Sequence, residues 1–285
     1  MTVLHEEKRV AESAVAAAFS DVALVEELMS LYRADSQLVQ LNRYGVVHRP
    51  HPYLVEVLNY AQTLSQRSKG AFDVTVQPLW ELYQQAMQRG ELPRETEVAA
   101  ARQRVSWRKL FVSPDKITLR SGAAITLNGV AQGYAADRAL AALRQHGVKH
   151  ALVDAGELGA LGGKPSNGAW TVGVQHPRDA NAYVALTNLS NGCLATSGDY
   201  ETTFSPDFLH HHLFDPRTGR SPQELASVTV AARSAMEADG LSTAVFVLGP
   251  TRGAELVRRT PGAAALLVLK QGDVLATDDF PHAKS

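Results

Sequence analysis

The sequence predicts an α+β fold: two intimately packed lobes in one unit over residues 1–285, helical in the N-terminal part, with mixed and antiparallel sheets in the C-terminal part. Three observations predict it. Apolar residues recur at three- and four-residue steps through the front of the chain. After Trp107 short β-rich runs bounded by turn residues take over. No exact repeat, low-complexity segment or long Pro/Ser linker divides the two textures.

Between Lys8 and Tyr32, Val15, Phe19, Val22, Val25, Leu28 and Met29 form one buried helical stripe. SLYRADSQLVQLN, residues 30–42, is a turn and a short helix whose N-cap is Asp35 or Ser36. A further helix covers His51 to Gln66 and ends at Lys69-Gly70. AFDVTVQPLWELY is a short extended piece entering a helix that Pro78 begins, since proline is tolerated in a first turn. Arg89 to Arg108 is a solvated connection and helix. KLFVS, KITLR and AAITLN, split by Pro114-Asp115 and Ser121-Gly122, are strands that pair in sequence. GVAQGYAADRALAALRQHGV is a glycine-rich turn feeding an amphipathic helix that Gly147 stops, and HALVDAGELGALGG returns as a strand. WTVGVQHP, AYVALTNLS, GCLATSG, SVTVAA and AALLVLK supply further strands, with a helix over Asp239 to Leu248 before the last of them.

Composition narrows the function classes. Apolar residues at 45% and charged ones at 20% suit an ordinary globular protein with a sizeable core. A formal net charge of -1, with Lys and Arg scattered, gives no field to hold nucleic acid. Cys193 is the only cysteine, which excludes an intramolecular disulfide and a thiolate-rich metal site. No run approaches the ~18 apolar residues of a spanning helix. MTVLHEEKRVAES is charged where an export signal would be apolar, so the chain as given carries no export signal.

Four segments have residues suited to chemistry. In AMEADGLSTAVFVLG, Asp239 and Thr243 stand one helical turn apart and present two hard oxygens to a magnesium ion; capping by Asp239 and a backbone bond from Thr243 explain the same pair. In TLNGVAQGYAAD, Gly129 and Gly133 flank a turn that opens a helix, suited to an anion or simply to permissive backbone angles. Thr196, Ser197 and Gly198 follow a strand, where they could bond a phosphate or close a turn. In HHHLFDPRTG, a strand over 208–214 would send His210 and His212 one way and His211 the other, which disfavours one zinc ion and leaves a single histidine as acid or base.

Taken together, LYRADSQLVQLN, GAFDVTVQPL, TLNGVAQGYAAD, ALVDAGELGALGG, LATSGDYETTF, HHLFDPRTG and SVTVAARSAMEADGLSTAVFVLG resemble the ApbE-like family over nearly the whole chain. That family comprises magnesium-dependent flavin transferases that move FMN from FAD onto a protein threonine. The resemblance implies one ApbE-like domain, FAD as substrate, release of AMP and an acceptor flavoprotein as partner. Its magnesium ligands would be Asp239, Thr243 and a backbone carbonyl near Gly129. Asp239 would also help deprotonate the incoming threonine, and His212 would stand near the reaction centre. Tyr32, Ala71, Phe72 and Asp73 match positions that hold the flavin nucleotide, and Thr196, Ser197 and Gly198 match the phosphate-side turn.

The pattern departs from the family in three places. The usual first strand with its Met-Gly-Thr signature is absent, the chain starting in or just after it. Relatives carry an Asp-Leu-Gly-Gly run and then a lysine where this sequence has Thr126-Leu127-Asn128-Gly129 and Gln132, so Gln132 takes that place among the cofactor-binding residues. The variant is similar to the branch associated with nitrous oxide reduction, which implies a periplasmic acceptor. The departures keep two other activities in view: flavin binding without transfer, as a carrier or assembly factor, and FAD hydrolysis to FMN and AMP.

Overall fold

Amphipathic spacing builds the front helices as expected, except that Phe19, placed on the buried stripe of the first helix, is 59% exposed while Ala14 and Ala18 are buried. The computed structural model describes residues 1–164 and 168–283. A strand β1 (Thr2–Leu4) leads into α1 (Lys8–Met29), which stops short of Tyr32 because Ser30 turns to extended backbone. The next helix, α2 (Gln37–Tyr44), is capped by Ser36, whose hydroxyl accepts from Val39 N, and Gly45 ends it at a positive φ of 71°. After β2 (Val46–His48) comes α3 (Pro52–Arg67), begun by a proline and capped by His51. Residues 74–76 are a 3₁₀ turn instead of the expected extended piece, because Asp73 caps it through Thr75 N. Two helices follow, α4 (Gln77–Gln88) and α5 (Glu95–Arg102).

Of the expected run of three sequential strands, only β3 (Leu110–Val112) and β4 (Lys116–Leu119) form, and β2 is the third member of their sheet. AAITLN is not a strand. The Asn42 side-chain amide bonds both the N–H and the C=O of Ile125, and Thr126 N donates to Val74 O, so this backbone is satisfied without a ladder. It leads into α6 (Ala131–Gln145).

The remaining strands are β5 (His150–Asp154), β6 (Leu158–Leu161), β7 (Trp170–His176), β8 (Asp179–Leu189), β9 (Cys193–Gly198) and β10 (Leu225–Ala232). Then come α7 (Ala235–Arg258), kinked at Gly249, β11 (Ala264–Leu269) and β12 (Val274–Ala276). HALVDAGELGALGG is thus a hairpin and not one strand. The main sheet runs β1-β5-β6-β9-β10-β11-β12, β7 and β8 form a separate ribbon, and every pairing is antiparallel. One apolar cluster joins the halves: Leu54, Leu58 and Leu64 of α3 pack with Val228 and Val230 of β10 and Phe246 of α7. This shared core fixes α6 and α7 against the sheet, and the site lies at their ends. Among the described residues no helix is long and apolar enough to cross a membrane.

Candidate active site

A cavity of about 760 Å³ opens where α1, the 70–76 segment, the start of α6, the end of β9 and the first turns of α7 converge. It is lined by all the residues expected in catalytic, cofactor or metal roles, Tyr32, Ala71, Phe72, Asp73, Gly129, Gln132, Thr196, Ser197, Gly198, His212, Asp239 and Thr243, whereas Gly133, His210 and His211 stand outside its lining. Folding brings together positions separated by most of the chain. Tyr32 is 85% exposed at the cavity, whereas Asp239 is buried.

Asp239 does not cap its own helix; Ser234 does, accepting from Glu237 N. Instead, Asp239 Oδ2 accepts the N–H of Gly133 at 3.0 Å. Gly133 is in the first turn of α6, where backbone donors have no intrahelical partner, so Asp239 caps the neighbouring helix from outside. The exchange is mutual, because Asp137 of α6 accepts from Ala235 N and Met236 N at the start of α7. Burial raises the pKa of Asp239; the Gly133 hydrogen bond opposes that shift and the charge of Asp137 adds to it. Among the described residues no basic side chain forms an ion pair with it.

Thr243 stands one turn on, as the spacing required. A Cβ placed on Gly129 would come within 2.9 Å of Thr243 Oγ1, so the two segments meet with no room for a side chain between them. Asp239, Thr243 and Gly129 line the same cavity, and carboxylate, hydroxyl and carbonyl oxygens are the donor type a magnesium ion takes. Among the described residues no three His, Cys, Asp or Glu side chains form a metal cluster, so an ion here relies on one carboxylate and neutral oxygens. The buried carboxylate without a cationic partner fits that use.

The surrounding charge has one sign. Glu26, Asp73, Glu157, Glu201 and Asp239 line the cavity, and among the described residues no Lys or Arg does. Sequence reasoning passed over Glu157, although a carboxylate in the glycine-rich hairpin turn was the signal. Burial first, and then the charge of Asp239, raise its pKa. Asp73, expected to hold nucleotide, spends its carboxylate on Thr75 N, Thr75 Oγ1 and Trp107 N, so its part is to shape the 70–76 wall. Thr196, Ser197 and Gly198 do not follow a strand in a turn but form the end of β9, laddered to β10, and Ser197 turns its hydroxyl inward, to Ser242 Oγ at 2.7 Å and Thr243 Oγ1 at 3.1 Å.

The three consecutive histidines diverge, although 208–214 is irregular and not a strand. His212 lines the cavity, with Nδ1 3.2 Å from Thr202 O; a carbonyl only accepts, so Nδ1 carries the proton and Nε2 keeps a lone pair. Burial lowers its pKa, and the Thr202 carbonyl partly restores it. His211 is fully buried, donates from Nε2 to Pro222 O and meets Phe246 edge-on. The loop carrying them is anchored at Asp199, a buried carboxylate held bidentately by Arg178 at 2.7 and 2.8 Å, with Lys270 at 3.3 Å. Lys270 also donates to Phe208 O within that loop.

The sequence matches the model of the ApbE family over residues 1–267. It is 32% identical over 283 residues to a FAD:protein FMN transferase of Escherichia coli strain K12, covering 91% of this chain and 78% of that protein. A FAD:protein FMN transferase of Haemophilus influenzae is 31% identical over 265 residues, covering 86% and 75%. Among solved structures, the ApbE protein of Thermotoga maritima superposes with a TM-score of 0.85 at 27% identity, covering 98% of this chain and 92% of that one. The flavinyl transferase ApbE of Pseudomonas stutzeri, in its apo form, gives 0.83 at 31% identity, covering 96% and 90%.

Proposed function

Because this chain belongs to the ApbE family, we propose that it moves FMN from FAD to a threonine hydroxyl of an acceptor flavoprotein, with magnesium held by Asp239, Thr243 and the Gly129 carbonyl. The single observation that carries the metal reading is that, among the described residues, the Asp and Glu side chains in the cavity wall face no Lys or Arg, so the wall offers a diphosphate no such cation. A bound divalent ion supplies the positive charge that stabilises phosphate oxygens as charge builds on them.

In this reaction the threonine oxygen bonds to the phosphorus on the FMN side, the diphosphate P–O bond breaks, and AMP leaves with the bridging oxygen. The chain's own residues align the partners and take the threonine proton. His212, neutral and with Nε2 unprotonated, can accept that proton, and Asp239 is the second candidate. Tyr32, Ala71 and Phe72 form the apolar wall against which the flavin nucleotide would lie, and the Thr196 to Gly198 end of β9 stands on the phosphate side. The likeness to the nitrous oxide branch supports a periplasmic acceptor.

The test is intact-mass measurement of an acceptor domain incubated with the chain, FAD and magnesium. An FMN-sized increment on a threonine, abolished by EDTA, is expected. Free FMN and AMP with no acceptor modification would establish hydrolysis instead, and an unchanged flavin pool would leave only binding.

A further inference from the structure

Three hydroxyls beside the proposed ion seat form a chain whose direction is fixed by proton count. Ser242 Oγ lies 2.8 Å from the backbone oxygen of Asp239, and a carbonyl can only accept, so the single Ser242 proton goes there. Ser197 Oγ lies 2.7 Å from Ser242 Oγ and must therefore donate to it. Thr243 Oγ1, 3.1 Å from Ser197 Oγ, must in turn donate to Ser197. With its one proton directed inward, Thr243 Oγ1 presents only lone pairs to the Gly129 backbone and the cavity.

We propose that Ser242 and Ser197 are positioning residues that spend the Thr243 proton on the Asp239 carbonyl and so aim the Thr243 lone pairs at the divalent cation. The proposal rests on the ion reading above and adds to it the reason a hydroxyl serves at position 243. A rotatable hydroxyl turns its proton or its lone pairs to a neighbour with equal ease, and only the second orientation attracts a cation. The chain begins at the backbone of Asp239, whose carboxylate belongs to the same seat, so one helical turn sets both oxygens at once. Ser242 is 1% exposed and Ser197 9%, which keeps water from completing the chain in their place. Ser197 is thus assigned to the ion seat through Thr243 and not primarily to a phosphate oxygen.

The test is a titration of the full chain with Mn²⁺, read from the electron paramagnetic resonance signal of the free ion. Ser242→Ala and Ser197→Ala are each expected to weaken Mn²⁺ binding about 10-fold, as removal of an orienting partner of a metal ligand does. Thr243→Ala should weaken it at least as much. In the Thr243→Ala background, Ser242→Ala should then add almost nothing, since no lone pairs remain to orient. Ser242 lies behind the cavity wall, so Ser242→Ala should retain the fold by circular dichroism and the metal-free FAD affinity of wild type. Wild-type Mn²⁺ affinity in both, with Thr243→Ala impaired, would overturn the relay and leave the ion seat standing. An additive loss in the double variant would overturn it too, as the mark of a merely structural role. Failure of the wild-type chain to bind Mn²⁺ would overturn both readings.

Discussion

Asp239 Oδ2 accepts the backbone N–H of Gly133 at 3.0 Å, joining residues 106 apart in sequence. The contact places a carboxylate at the positive end of α6 while keeping it in the cavity wall. It also leaves no space between the helices. A Cβ on Gly133 would lie 2.3 Å from Ala235 O and 2.8 Å from Asp239 Cβ.

Gly133→Ala should therefore push α6 from α7, costing about 2–3 kcal/mol by overpacking and displacing Asp239. Urea denaturation together with the transfer assay checks this; a variant of wild-type stability and activity would show that the helices can part freely.

Asp239→Asn keeps an acceptor for Gly133 N and removes the charge. Transfer should fall by about 100-fold or more, as expected when a ligand of a required cation is lost, with the fold retained by circular dichroism. Undiminished transfer in this variant would remove Asp239 from the mechanism.

Arg178→Met leaves the buried Asp199 with Lys270 alone. The unbalanced charge should cost about 3 kcal/mol and loosen the 200–214 loop, raising the KM for FAD through His212 while metal affinity stays constant. Hydrogen exchange over residues 200–214 is the readout, and unchanged protection there would separate the Asp199 cluster from the loop.

His211 should make stability pH-dependent. Burial lowers its pKa from 6.5 to about 4, so the folded protein favours the neutral ring. The associated stabilisation is complete above pH 6.5, declines below it and is gone below about 4, amounting to roughly 3 kcal/mol in all. His211→Gln can still donate to Pro222 O without titrating, so its denaturation midpoint should fall less steeply over that window. Identical slopes would assign the acid sensitivity to other groups.

The helices were legible because their apolar stripes, caps and stops are local: Ser36, Gly147 and the run from Val22 to Met29 need no tertiary information. AAITLN read as a strand because its composition is right, but a distant side chain, Asn42, satisfies its backbone. The short exposed β12 carries no alternation strong enough to announce it. At the site, Asp239 and Thr243 stood out as polar residues in an apolar helix. Ser242, between them in sequence, did not, because its role depends on Ser197 across the gap between β9 and α7. The shared wall of carboxylates was equally hidden, since its members come from separate elements that only the fold brings together.

The central claim is that a divalent ion sits between α7 and the bend at Gly129. A crystal soaked with FAD and Mn²⁺, measured for anomalous scattering from manganese, tests it most directly. The account predicts one strong peak within coordination distance of the Asp239 carboxylate, Thr243 Oγ1 and the Gly129 carbonyl. A fully occupied FAD with no peak there, or with manganese bound only elsewhere, would contradict it.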